Sequence, residues 1–272
     1  MMIKEQNKPK YSIKVLLNAF SILDILIKKN QSVTIHELSE TLNLYPSTIH
    51  RILDTLHYLG YIEKRLDSDE YQLGLKAIEL GLSKLNQSNL IKEANPYLEA
   101  LSKEMNENIY LGVLFEGEVL YEAKKEALRK ISLITHVGTR ALVHCTSLGK
   151  VLIANLPPKE RELILGSNPL QCRTKNTIID RMALGKELEK VKRLGYAIDE
   201  EENENEIRCI AAPIRNHRGG VIAAVSIGGP SYRFTLEREE TMIKAIIKTA
   251  KEISLRLGFK NTLIKGEMQN VL

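Results

Sequence analysis

Two predicted helices separated only by Asn43-Leu44 constrain this chain more than any other stretch of it. Thr34 can cap the first, with Glu37 three residues on completing a capping box, and Ile35, Leu38 and Leu42 supply its apolar side. In the second, Pro46 fits the first turn, and Ile49, Ile52, Leu53, Leu56 and Leu59 recur at helical spacing. So short a link makes the helices cross steeply, a helix-turn-helix whose later member projects its polar face outward. That face carries Ser47, Thr48, His50, Arg51 and Thr55, short hydroxyls beside a fork-shaped cation, residue types that reach phosphates and base edges in a DNA groove. Taken alone, such a face also reads as an ordinary solvated surface, so its neighbours decide.

Upstream, Ile13, Leu16, Leu17, Phe20, Leu23 and Ile27 mark an amphipathic helix from Ser12 to about Lys28-Lys29-Asn30, with one face in the core. Residues Met1 to Lys10 form a polar arm whose Lys4, Lys8 and Lys10 could add phosphate contacts. Downstream, Gly60 stops the second motif helix, and Tyr61 to Lys64 and Tyr71 to Leu73 read as two short strands. Three helices and a hairpin make a winged helix-turn-helix over residues 1–73. Lys64 and Arg65 have a route to the DNA backbone, although Asp67, Asp69 and Glu70 at the tip repel phosphate.

A linker helix over residues 74–88 follows from the spacing of Leu75, Ile78, Leu82 and Leu85, and a second domain spans 89–272. That domain opens with a helix through Ala94, Leu98, Leu101 and Met105, kinked or broken at Pro96. The period then changes to strands: Ile109 to Phe115, Val119 to Ala123, and a third suggested by Ile131, Leu133 and Val137. Helices are expected from Thr146 or Ser147 to Asn155, over Glu160 to Leu165, and over Met182 to Leu194 with a stop at Gly195. Tyr196 to Asp199 is strand-like, Glu200 to Glu206 reads as a solvated acidic loop, and Ile207–Arg215 with Val221–Gly228 are the best strands. Thr235 to Leu257 closes the chain as a long helix, so the fold class is α+β, with a largely antiparallel sheet in the second domain.

The formal charge of +5, from 39 basic and 34 acidic residues, favours an anionic partner only mildly. Three cysteines without close pairing indicate neither a disulfide framework nor a thiolate zinc site, which fits a reducing cytoplasm. No apolar run approaches the roughly 20 residues needed to span a bilayer, and no apolar segment follows the N-terminal lysines as it would in a signal peptide.

A tight turn centred on His217-Arg218 pairs the last two strands with Cys209 opposite Ser226 and Ala211 opposite Ala224. One face of the sheet then presents Cys209, Ala211, Ser226 and Gly228 with Ile207, while Ile210, Ala212, Ile214, Val225 and Ile227 fill the other. Small residues with a few polar groups suit a small-ligand cavity; a helix packed tightly on them is the competing reading. Catalytic chemistry is poorly supported. His144 and Cys145 are adjacent on an extended segment and point apart, Gly149-Lys150 lacks the rest of a phosphate loop, and the six histidines show no metal-ligand spacing.

The chain resembles the IclR-type bacterial transcriptional regulators over nearly its whole length. The resemblance is carried by YPSTIHRILDTLHYLGYIEK with YQLG downstream, by HVGTRALVHCTSLGKVLIANL and by GYAIDEEENENEIRCIAAPIRNHRGGVIAAVSIGGP, in that order. It implies an N-terminal winged helix-turn-helix, a linker helix and a GAF-like α/β effector-binding domain, acting as a homodimer or homotetramer on pseudo-palindromic double-stranded operator DNA. Family effector contacts map onto Leu133, Ser147, Leu148, Asp199, Cys209, Ser226 and Gly228; no cofactor or metal is implied. Two departures flank the presumed pocket: Glu206 stands where the family has glycine, and Gly228 where it often has serine. The lost hydroxyl removes a donor worth about 1.5–3 kcal/mol toward a charged ligand.

The resulting expectation is a DNA-binding repressor controlled by a small organic-acid or sugar-acid effector. The alternatives are an activator of the same family, a metabolite-processing enzyme using the C-terminal pocket, which would turn its ligand over, and a constitutive DNA-binding protein, which no ligand would stabilise.

Overall fold

A computed structural model describes residues 11–29, 31–86, 89–127, 135–167 and 170–260. The chain divides into two compact units, Met1–Ser88 and Asn89–Leu272. The first runs α1 (Lys14–Lys29), β1 (Val33–Thr34), α2 (Ile35–Leu42), α3 (Pro46–Tyr58), β2 (Ile62–Lys64), β3 (Glu70–Leu73) and α4 (Leu75–Asn86). The capping box is formed: the Thr34 hydroxyl accepts from the Glu37 N–H, and the Glu37 carboxylate accepts from the Thr34 N–H at 2.9 Å. Asn43 takes a left-handed conformation that ends α2, and Pro46 opens α3. Ile22, Leu26, Leu38, Ile49, Leu53, Leu56, Ile62 and Tyr71 form one core around the crossing helices.

Several expectations for this unit are corrected. β1 was not foreseen; it pairs with β3 to make a three-stranded sheet, and two residues are too few for a periodic signal. Leu59 caps α3 and is half exposed, because the helix turns away from the core at Gly60. Of the α1 apolar residues only Ile22 and Leu26 are buried, and Leu16, Leu17, Phe20 and Ile27 are exposed. Leu75, Ile78 and Leu82 of α4 are exposed as well. The lysines of the expected arm lie outside the described residues.

The second unit runs α5 (Asn89–Met105), β4 (Asn108–Phe115), β5 (Glu118–Lys125), β6 (Arg140–Leu142), α6 (Ser147–Ala154), α7 (Pro158–Ser167), α8 (Arg181–Leu194), β7 (Ala197–Glu200), β8 (Ile207–Arg215), β9 (Val221–Pro230) and α9 (Leu236–Arg256). Its six strands form one sheet in the order β6-β5-β4-β9-β8-β7, with every neighbouring pair antiparallel. Ile109, Leu111, Ile210, Ala212, Ile214, Val225 and Ile227 face α5 and α9 in one core. Tyr110, Ala197, Ala211 and Ala224 face α6 and α8 in the other.

α5 runs through Pro96 without a break, since the proline is on the exposed side, where water can satisfy the Lys92 carbonyl it leaves unpaired. The expected third strand is replaced by the short β6, with Val137 in a turn before it; Ile131 and Leu133 lie outside the described residues.

The β8–β9 register also differs by two residues. Cys209 pairs with Gly228, Ala211 with Ser226 and Pro213 with Ala224. The cause is a wider connection. Asn216 N–H donates to the Gly220 carbonyl, the Asn216 side chain accepts from the N–H groups of Arg218 and Gly220, and a bulge falls between Ile214 and Arg215. A shift of two keeps every side chain on its face, so the assignment of faces survives the wrong register.

Candidate nucleic-acid face and ligand pocket

α3 buries Ile49, Ile52, Leu53 and Leu56 and leaves Ser47, His50, Arg51, Asp54, Thr55 and Tyr58 exposed, with Thr48 half-buried. His50 Nδ1 lies 2.9 Å from Asp54 Oδ2, and the Thr55 hydroxyl donates to the Arg51 carbonyl. The Arg51 guanidinium makes no bond to any described residue and is free to reach outward. In the wing, Lys64 Nζ sits 2.6 Å from Asp69 Oδ1 and Arg65 is 3.7 Å from Glu70, so acidic neighbours already occupy both basic groups. Tyr45, just before α3, is an exposed aromatic that the charge-based reading of this face passed over.

The second site grows out of the sheet register. Asp199, Cys209, Gly228 and Asn108 lie in one row across β7, β8, β9 and β4. The next row holds Ala197, Ala211, Ser226 and Tyr110, and a third places Ala224 and Gly112 beside Tyr121 of β5. Small residues at the centre leave a hollow between this face and the N-terminus of α6. The cavity, about 420 Å³ including its open mouth, is lined by Ser147, Leu148, Asp199, Cys209 and Ser226 of the predicted residues. Gly228 is in register with Cys209 but contributes nothing to the lining, and Leu133 lies outside the described residues.

Tyr110, Tyr121, Thr135, Thr146, Asn203, Glu204 and Ile207 complete the described lining. The period-2 pattern put Ile207 on the right face; the two tyrosines were invisible because β4, which carries Tyr110 and pairs with β5 of Tyr121, reaches β9 through a non-local contact. Their rings meet edge to face, 5.6 Å between centroids.

Thr146 caps α6, its hydroxyl accepting from the Gly149 N–H, and the first N–H groups of the helix have no intrahelical partner. Gly149 is required here: a Cβ would collide with the backbone of Val143. Ser147 and Ser226 are buried residues that line the cavity, and neither hydroxyl has a hydrogen-bond partner among the described residues, so both are open to whatever the cavity holds. Asp199 is 2% exposed; its Oδ1 accepts from the N–H groups of Glu202 at 2.7 Å and Asn203 at 3.4 Å. Burial lifts its carboxyl to about 7, opposed by those two N–H groups. The same desolvation pushes the Cys145 thiol up to about 12, raises Cys209 well above the ordinary thiol range, and raises both tyrosines. These are not activated nucleophiles. His144 bonds the Gln171 carbonyl instead of serving Cys145, whose thiol donates to Asn203 Oδ1 at 3.6 Å.

The acidic loop is not merely solvated, contrary to expectation. Glu202 is buried against Lys150, and Glu204 lines the cavity. Glu206, where glycine was expected, has φ of 64°.

A winged helix-turn-helix with a free arginine on its outer helix, in one chain with a polar small-molecule cavity, defines a DNA-binding regulator with an effector domain. The IclR C-terminal model of bacterial transcriptional regulators matches residues 82–255, and the IclR helix-turn-helix model matches 15–66. The chain is 34% identical over 248 residues to the transcriptional regulator KdgR of Escherichia coli, covering 91% of this chain and 94% of KdgR. It is 28% identical to the transcriptional repressor AllR of the same species, covering 91% of each. A crystal structure of an IclR homologue from Microbacterium hydrocarbonoxydans, complexed with 4-hydroxybenzoate, matches with a TM-score of 0.78 at 28% identity over 89% of this chain and 98% of that one. The chain belongs to the IclR family: it is a transcriptional regulator, not an enzyme, with an N-terminal DNA-binding domain and a C-terminal effector-binding domain.

Proposed function

We propose that this regulator is a cytoplasmic repressor released from, or retained on, its operator by a small carboxylate held in the cavity of the second unit. The observation that carries the reading is the pair of hydroxyls on Ser147 and Ser226, which line that cavity with no partner among the described residues. Neither hydroxyl is committed to the protein, so a ligand that bonds both gains about 0.5–1.5 kcal/mol net from each bond. The N-terminus of α6 favours a negative group beside Ser147, while Asp199 and Glu204 favour hydroxyl donors elsewhere on the ligand. A hydroxylated organic or sugar acid satisfies both. The carboxylate bound by the Microbacterium homologue and the repressor role of AllR support the same assignment.

Ser47, Thr48, His50, Arg51 and Thr55 then meet the operator, with Lys64 joining only by leaving Asp69. Exposed apolar faces on α1 and α4 suit pairing with a second copy, because a monomer rarely leaves such stripes in water. A two-fold pair would read half-sites about 34 Å apart. Control requires that the effector bind the DNA-competent and DNA-incompetent states with different affinity.

The test is a thermal-shift screen of the full chain against hydroxy acids and sugar acids, repeated with Cys209→Ala and Ser226→Ala, followed by operator-binding measurements with each hit. A hit lost in the variants and active on operator binding supports the reading. No hit across the screen overturns it.

A further inference from the structure

Lys150 lies on α6 just beyond the cavity-lining Thr146, Ser147 and Leu148, yet it is 1% exposed. Its Nζ sits 2.6 Å from Glu202 Oε1 and 3.3 Å from Glu187 Oε1 of α8. Glu202 is buried too; its Oε1 also accepts from the Glu200 N–H at 3.4 Å, and its Oε2 has no hydrogen-bond partner among the described residues, so the lysine supplies most of the compensation this carboxylate receives. The backbone of Glu202 donates to Asp199 Oδ1. On its other side the loop is clamped by the Thr174 and Thr177 hydroxyls, which donate to the carbonyls of Glu201 and Glu202 at 2.6 Å each. The Asp199 oxygen left over, Oδ2, has no partner among the described residues, and Asp199 lines the cavity.

We infer that Lys150 is the positioning residue of this pocket: through Glu202 it fixes the loop presenting Asp199, Asn203 and Glu204, and ties that wall to the helix whose N-terminus forms the opposite one. The inference rests on the reading of the cavity as the effector site. Lys150 touches no ligand itself. A buried ion pair is seldom a gain over apolar packing for stability alone, whereas it can specify one geometry among several. Here the geometry specified is the distance between an acceptor wall and a donor wall, which decides what ligand fits.

The test needs no ligand and uses the full chain, by amide exchange and carbon NMR of the Asp199 carboxyl in Lys150→Met, Lys150→Arg and Glu202→Gln. Exchange at the Glu202 and Asn203 amides is expected to rise about tenfold or more in Lys150→Met and Glu202→Gln, with the β8 and β9 amides unchanged. The Asp199 titration should move as well, because release of the loop changes both the burial that raises it and the Glu202 and Asn203 N–H bonds that oppose that burial. Lys150→Arg, which keeps a cation, should hold both near the wild type. Uniform loosening, no change at these amides, or an unchanged Asp199 titration overturns the inference. If Lys150→Met does not fold, Glu202→Gln decides, since it leaves Lys150 paired with Glu187. Failure here leaves the effector reading standing, while failure of the ligand screen alone leaves the loop measurement intact.

Discussion

Both units carry groups without partners among the described residues, but the first unit turns them outward and the second turns them inward. In the first, Arg51 and the apolar residues of α1 and α4 face solvent. In the second, Ser147, Ser226 and one oxygen of Asp199 face an internal cavity, while the apolar stripes of α5 and α9 are covered by the sheet. Water satisfies an exposed guanidinium at little cost, and a buried carboxylate has no such recourse. The outward groups should therefore govern binding without affecting the fold, and the inward ones should tie binding to stability and pH.

The sharpest contrast is between similar apolar residues on two helices. Leu98→Ala in α5 should cost about 2–5 kcal/mol of stability, because it opens a cavity in a closed core. Phe20→Ala in α1, at 63% exposure, should stay within about 0.5 kcal/mol for the single chain and instead weaken the proposed pairing with a second copy. Denaturant unfolding with sedimentation separates the two. Equal losses of stability would break the comparison.

Next comes pH. Asp199 is raised in the folded state to about 7 from an ordinary value near 3.8, so folding takes up a proton between those limits. Its stabilising contribution is full below the unfolded value and is lost as pH rises through about 7, on the order of a few kcal/mol at most. Asp199→Asn keeps an acceptor for the Glu202 N–H and removes the titration. The variant's advantage over the wild type in melting temperature should thus grow from pH 5 to pH 8; a parallel pair of curves would contradict the buried-carboxylate account.

Arg51→Ala should weaken operator binding by about 1–3 kcal/mol if it contacts a base edge, with no fall in melting temperature, because its guanidinium bonds none of the described residues. A large loss of stability would remove Arg51 from the outward class.

These contrasts also mark how far the sequence could be read. Spacing identified the α2–α3 pair, the capping box and both faces of β8 and β9, all set by contacts within a few residues. It overestimated the buried face of α1, since periodicity announces that a stripe will be covered and says nothing of what covers it. In the pocket, Cys209 and Ser226 were legible from strand alternation, whereas Tyr110 and Tyr121 depended on which strand β9 would choose as its other neighbour. The acidic run showed only charge, and Lys150, from 52 residues away, turns Glu202 inward.

Glu206 offers the smallest test and bears on the same contrast. Its φ of 64° lies in the left-handed region, where a Cβ costs about 1–2 kcal/mol and glycine costs none. Its carbonyl accepts from the Ser231 N–H at 2.7 Å and its N–H donates to Glu201 Oε2 at 2.9 Å, so one backbone and one side-chain partner hold it there. Glu206→Gly should relieve that strain while giving back part of it through the freer unfolded chain, for a net gain of about 0.5–1 kcal/mol. Its exposed side chain points away from the inward set, so melting temperature should rise with the Asp199 titration unmoved. If the titration moves as well, the residue that departs from the family pattern reaches the pocket after all, and the boundary between outward and inward groups shifts by one loop.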